Sequence, residues 1–150
     1  MRVPVIVRVD NLQTDPDGKS EHVVANYKGS MLVNDGRCVV GYEETLPGDN
    51  KQSKPVKCML KISDKKIELN KNGDLSYNMV FVEGERVKFL YRTAFGTIDM
   101  AVETLSLITG GDIGKGLTAE IKYLLDMNGY ALKCELNLSV DPVVEMRPGK

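Results

Sequence analysis

Leu117-Thr118-Ala119-Glu120-Ile121-Lys122-Tyr123-Leu124-Leu125-Asp126-Met127-Asn128-Gly129-Tyr130-Ala131-Leu132-Lys133-Cys134-Glu135-Leu136-Asn137-Leu138-Ser139-Val140 decides the fold. Leu117, Ala119, Ile121, Tyr123 and Leu125 alternate with Thr118, Glu120, Lys122 and Asp126. Leu132, Cys134, Leu136, Leu138 and Val140 alternate with Lys133, Glu135, Asn137 and Ser139. Side chains alternate between the two faces of a strand, so each run is a strand with one apolar and one wet face. Asn128-Gly129 between them is a hairpin signal, because both residues tolerate positive φ. The stretch is therefore an antiparallel pair.

The same pattern recurs along the chain. Val3, Val5, Val7 and Val9 share a face, and so do Val23, Ala25, Tyr27, Met31 and Val33. Cys58, Leu60 and Ile62 alternate with lysines and Met59; Ile67 and Leu69 alternate with Lys66, Glu68 and Asn70. Leu75, Tyr77, Met79 and Phe81 form one face, Val87, Phe89, Tyr91 and Thr93 another, and Ile98, Met100, Val102 and Thr104 a third. Asp15-Pro16-Asp17-Gly18, Asn34-Asp35-Gly36, Asn72-Gly73 and Glu83-Gly84-Glu85 punctuate the runs as turns. Glycines 110, 111, 114 and 116 make residues 105–116 a loop in this reading, and the polar stretch 45–54 another. With short connections throughout, about eight to ten strands close into an all-β, antiparallel up-and-down barrel. Residues 1–141 make a single domain, and 142–150 are expected to be a flexible C-terminal tail.

Composition narrows the function classes. The chain has 150 residues, with 20 basic against 21 acidic ones and a net charge of −1. Such a balance gives no global field for nucleic acid or an anionic membrane. No apolar stretch approaches the ~18 residues of a membrane helix. An outer-membrane barrel would need aromatic girdles on an outward apolar face, and the chain has no tryptophan and 6% aromatics. No signal peptide is legible in Met1–Arg8, and an odd count of three cysteines fits a reducing compartment, so the expected location is the cytoplasm.

The sites that would carry chemistry are weak. Gly114-Lys115-Gly116-Leu117-Thr118-Ala119 has dinucleotide-loop spacing but precedes a strand instead of opening a helix. Cys38, Cys58 and Cys134 lie on separate strands without metal-ligand spacing, and His22 is the sole histidine. The cysteines read as buried, inert thiols. Asp15 and Asp17 lack the further oxygen ligands of a calcium loop and read as a turn. No cofactor, metal or catalytic constellation emerges, so the chain is not expected to be an enzyme.

Tyr42-Glu43-Glu44-Thr45, Met59-Leu60-Lys61-Ile62, Met79-Val80-Phe81 and above all Tyr91-Arg92-Thr93-Ala94-Phe95-Gly96 resemble the YwiB-like family, over about residues 3–140. This is a bacterial family of unknown function with a calycin-like, lipocalin-related barrel. The chain departs from it with Lys71 before Asn72-Gly73, where such proteins often carry arginine. The resemblance implies the barrel and no activity, although calycin barrels as a class often hold small apolar molecules.

Glu44 shares its strand face with Cys38, Val40 and Tyr42, and so stands at a barrel end among apolar groups. A carboxylate there needs a partner. Tyr42, Glu44, Tyr91 and Thr93 are expected to form a polar cluster, with Met79 on the lumen wall. Two readings of the whole remain. One is a ligand site made of Tyr42, Glu44, Met79, Tyr91 and Thr93, for a small, partly apolar molecule. The other is a packed, non-catalytic structural or interaction barrel in which the cluster closes the barrel end, the more general habit of buried polar groups. In that case outward Leu90, Leu105 and Leu107 serve a partner protein or a homodimer; the chain is otherwise a monomer.

Overall fold

The computed structural model describes residues 2–34, 37–44, 55–112 and 114–143. Among them there are ten strands and no helix: β1 (Arg2–Thr14), β2 (Ser20–Asn34), β3 (Arg37–Glu44), β4 (Val56–Ser63), β5 (Lys66–Asn72), β6 (Tyr77–Val82), β7 (Arg86–Thr93), β8 (Gly96–Asp112), β9 (Gly116–Met127) and β10 (Tyr130–Pro142). They form one antiparallel sheet in the order β6-β5-β4-β3-β2-β1-β10-β9-β8-β7. Each strand pairs with its chain neighbour except at β6/β7, and β1 pairs with β10, from Val5 opposite Pro142 to Thr14 opposite Lys133. This is a nearly closed up-and-down barrel of the calycin type.

The expected faces hold. Val5, Val7, Leu60, Ile67, Phe81, Val102, Ile121 and Val140 fill the interior, while Lys57, Lys61, Lys122, Lys133 and Glu135 stand outside. All three cysteines are buried free thiols. No helix among the described residues is long and apolar enough to cross a membrane.

Where β6 meets β7 the wall is not a ladder. The turn between them is pinned to β8: Gly84 N–H donates to Thr104 O (2.8 Å), Thr104 N–H to Glu85 O (3.1 Å) and Leu107 N–H to Glu83 Oε1 (3.0 Å). At the far end the two strands meet in a single bridge, Ser76 opposite Arg92. Between turn and bridge they run side by side as a splayed seam.

Three expectations need correction. Residues 105–112 are strand, not loop: Gly110, Gly111 and Asp112 pair with Thr118, Leu117 and Gly116. The glycines let two backbones press together, for a Cβ on Gly111 would collide with the Gly116 carbonyl. Leu107 was expected to face outward, yet it packs on the core while Leu105 stays outside, 53% exposed. A β-bulge between Thr104 and Ser106 inserts one residue and inverts the faces beyond it. Val23 and Ile98 alternate with the core but are exposed, because both sit near the start of their strands, and the period of two outlasts the lumen it points into.

Residues 45–54, Asp35-Gly36 and residues 144–150 of the expected tail lie outside the described residues. Val143 N–H donates to Pro4 O (2.9 Å).

Candidate functional site

The C-terminal ends of β1, β3, β5, β7 and β9 all lie at one end of the barrel. Strands whose inward faces are apolar become polar as they reach this end. β1 passes from Val5 and Val7 to Asn11 and Gln13, β3 from Val40 to Glu44, and β5 from Ile67 and Leu69 to Lys71. Asn11, Gln13, Glu44 and Lys71 rim a cavity of about 230 Å³ inside the barrel. Its deeper wall is apolar and aromatic, with Met79, Phe81, Met100, Tyr123, Leu136 and Leu138.

Glu44 is the centre of the polar rim. Its carboxylate forms an ion pair with Lys71, both side chains only 18% exposed. Tyr27 donates its hydroxyl proton to Oε2 (3.1 Å), and the Cys58 thiol donates to Oε1 (3.2 Å). Burial pushes the Glu44 carboxyl up, but the Lys71 charge and the three donors outweigh it and hold the group below the usual carboxylate range. Burial acts to lower Lys71, yet Tyr77 and Glu44 raise it above its ordinary value. Both partners are therefore charged at neutral pH. Burial, then the Glu44 charge, pushes the Tyr27 phenol up to about 12, and the same two causes push the Cys58 thiol up to about 12. Cys58 is thus a protonated donor to Glu44, not a nucleophile.

Aromatic rings back this network. Tyr27 and Tyr42 stack with centroids 5.1 Å apart, and Tyr77 and Tyr91 stack at 5.6 Å. The Lys71 ammonium also lies 5.7 Å from the Tyr77 ring centre. Phe81 meets Tyr123 edge to face at 5.0 Å deeper in the lumen.

Of the five expected site residues, Tyr42, Glu44, Met79 and Tyr91 line the lumen. Thr93 does not join them. Its hydroxyl donates to Gly96 O (3.0 Å) and accepts from Phe95 N–H (3.1 Å), so it braces the β7–β8 turn. Tyr91 reaches the cluster through Tyr77, and the groups that bond Glu44 are Lys71, Tyr27 and Cys58. Lys71 was missed because the Ile67–Leu69 alternation was followed only through apolar residues. One more step of two reaches it, just as two steps beyond Val9 reach Asn11 and Gln13.

Asn11 stands apart from the satisfied groups. Its Oδ1 is buried and has no hydrogen-bond partner among the described residues. Thr104 Oγ1 is in the same position where the β6–β7 turn docks on β8. His22 lies outside the barrel, 2.7 Å from Asp10. No group of three His, Cys, Asp or Glu among the described residues is placed to hold a metal ion. A depression of about 510 Å³ at β7 and β8 holds the exposed Arg86–Asp126 ion pair (2.8 Å) and shares only Met100 with the lumen lining.

The crystal structure of the YwiB protein from Bacillus subtilis is similar over 95% of this chain and 94% of that one, with a TM-score of 0.78 and 20% identity, which establishes a common fold. No curated protein matches the chain. Residues 7–138 match the family described as Domain of unknown function (DUF1934). That span takes in all of β2 to β9, most of β1 and β10, and the polar rim; the chain belongs to this family.

Proposed function

We propose that the barrel is a non-catalytic binding module that takes a small, partly apolar molecule into its lumen. The observation that carries this is the cavity of about 230 Å³ with an apolar floor and a charged rim. Enclosed apolar space with a few convergent polar groups is how small-molecule sites are built. At roughly 30 Å³ of liquid volume per water-sized group, the space suits a molecule of on the order of ten non-hydrogen atoms.

The groups at the rim argue against catalysis. Glu44 is committed to Lys71, Tyr27 and Cys58, the Cys58 thiol is protonated, and His22 is outside. Three buried thiols without a disulfide fit a reducing cytoplasm.

Titration with 3-phenylpropanol, followed by ¹H–¹⁵N NMR, tests the proposal. Saturable shifts at Met79, Tyr123 and the Asn11 side-chain amide are expected, and Met79→Trp, which fills the lumen, is expected to abolish them. Shifts restricted to the outer surface, or none up to the probe's solubility, overturn it. The second reading, a structural closure of the barrel end, is favoured by the full satisfaction of both Glu44 oxygens. It applies to the Glu44 network and leaves the cavity to the ligand.

A further inference from the structure

A second concave site lies on the outer face of the β6/β7 seam. It is an open depression of about 470 Å³ lined by Lys71, Lys88 and Arg92, with Asn70, Asn78 and Ser76 among its polar groups and no carboxylate in its lining. Lys71 is neutralised by Glu44, but Lys88 and Arg92 form no ion pair among the described residues. Asp99 and Asp126, the latter paired with Arg86, line the neighbouring depression, which shares Lys88, Phe89 and Leu90 with this one. In a chain of net charge −1, this is a local concentration of uncompensated positive charge beside amide and hydroxyl donors.

Its position gives the charge a meaning. Lys71 and Tyr77 line this outer cleft and also the lumen. The wall between the two is thus made by those side chains, at the one junction where adjacent strands meet in a single bridge instead of a ladder. Tyr77 leans on Phe89 (6.0 Å) and Tyr91 (5.6 Å) through ring contacts, with no strand ladder to β7 to hold it.

We propose that the seam cleft binds the anionic end of the lumen ligand: a small organic anion whose carboxylate or phosphate sits between Lys88 and Arg92 and whose apolar body passes Tyr77 into the barrel. This rests on the lumen reading and adds the charge of the ligand and its point of entry. Arg92 offers a planar fork to an oxyanion and Lys88 a second point charge.

The test compares 3-phenylpropionate with 3-phenylpropanol, which share a body and differ in the charged end, by NMR titration of the full chain and of the Lys88→Gln/Arg92→Gln variant. The exposed positions leave the fold intact, which the unperturbed lumen resonances verify. The carboxylate is expected to bind about three- to tenfold tighter than the alcohol, with shifts at Lys88 and Arg92 as well as Met79 and Tyr123. The double variant is expected to remove that advantage and leave the alcohol's affinity unchanged. Raised salt is expected to shrink the advantage in the same direction. Equal affinities for the two probes, or an advantage that survives the double substitution, overturns the seam site while the lumen reading stands. If the alcohol never moves Met79 and Tyr123, it is the lumen reading that falls, and the seam proposal falls with it.

Discussion

Both oxygens of Glu44 are engaged, and the groups that engage them set how the protein responds to pH and to substitution. Glu44→Gln leaves the Lys71 ammonium half-buried without a counter-charge. Chemical denaturation at pH 7 is expected to show a loss of about 1–3 kcal/mol. Changing both partners, Glu44→Gln with Lys71→Met, is expected to cost less than Glu44→Gln alone, because no lone charge is left behind. If Glu44→Gln left the protein as stable as the parent, the network would belong to the ligand and not to the fold. The Glu44 carboxyl is held below its ordinary value in the folded state. Its stabilising share is therefore present above the unfolded value of about 4.3 and is lost as pH falls through the folded value. Lys71 is raised, so its share is present below about 10.4 and disappears only on the far alkaline side. Parent and Glu44→Gln curves are thus expected to converge on acidification below about pH 4. The thiols give a second check. Burial pushes Cys134 up to about 11, and burial with the Glu44 charge pushes Cys58 up to about 12. Both are expected to label slowly in the native protein and quickly in denaturant. Cys58 is expected to gain reactivity in Glu44→Gln, where one cause of its raised value is gone; rapid labelling of both in the parent contradicts this. Sequence made Glu44 legible as a carboxylate in need of a partner, but not which partner. Period two places Lys71 on the inward face of β5, yet whether it lies beside Glu44 depends on how β3, β4 and β5 are staggered, and that register is set by the barrel.

Among the elements, β8 holds the place where a bulge makes alternation mislead. Val102 and Leu107 both face inward although they are an odd five positions apart, because the bulge after Thr104 adds a residue to β8 without adding one to β9. Nothing in Val102-Glu103-Thr104-Leu105-Ser106-Leu107 marks the inserted residue; the cause is the turn Glu83–Glu85, which captures Thr104 and Leu107 backbone groups from another strand pair. Alternation is a local property and survives in the other nine strands, whereas a bulge imposed by a distant turn is a tertiary effect. Paired substitutions check the assignment. Leu105→Lys is expected to change stability by less than about 0.5 kcal/mol, and Leu107→Lys to cost more than about 1 kcal/mol, by thermal or urea unfolding. The reverse ranking would mean that the bulge lies elsewhere. The same turn makes Glu83 a positioning group for the seam, through the bond from Leu107 N–H to Oε1 (3.0 Å).

At the scale of the whole barrel, the wall has two kinds of junction. β1–β10 is a long continuous ladder that joins residues from the two ends of the chain. β6–β7 joins strands adjacent in sequence and is held by a turn, one bridge and a layer of aromatic rings. Loop-closure entropy would favour the opposite arrangement, with the tightest pairing between chain neighbours. The splay arises because the β6–β7 turn bonds to β8, which draws β7 onto β8 and away from β6. Local opening free energy follows the density of such bonds. Amides of β1 and β10 paired with each other are expected to exchange with solvent only through global unfolding. Amides of β6 and β7 that face the seam, and so lack a partner in β5 or β8, are expected to exchange many-fold faster under native conditions. A hydrogen-exchange profile in which the seam amides match the β1–β10 ladder would mean that the wall is closed there in solution. A fast-exchanging seam is the behaviour that entry of a ligand past Tyr77 requires, since that side chain must swing aside while the rest of the barrel stays paired.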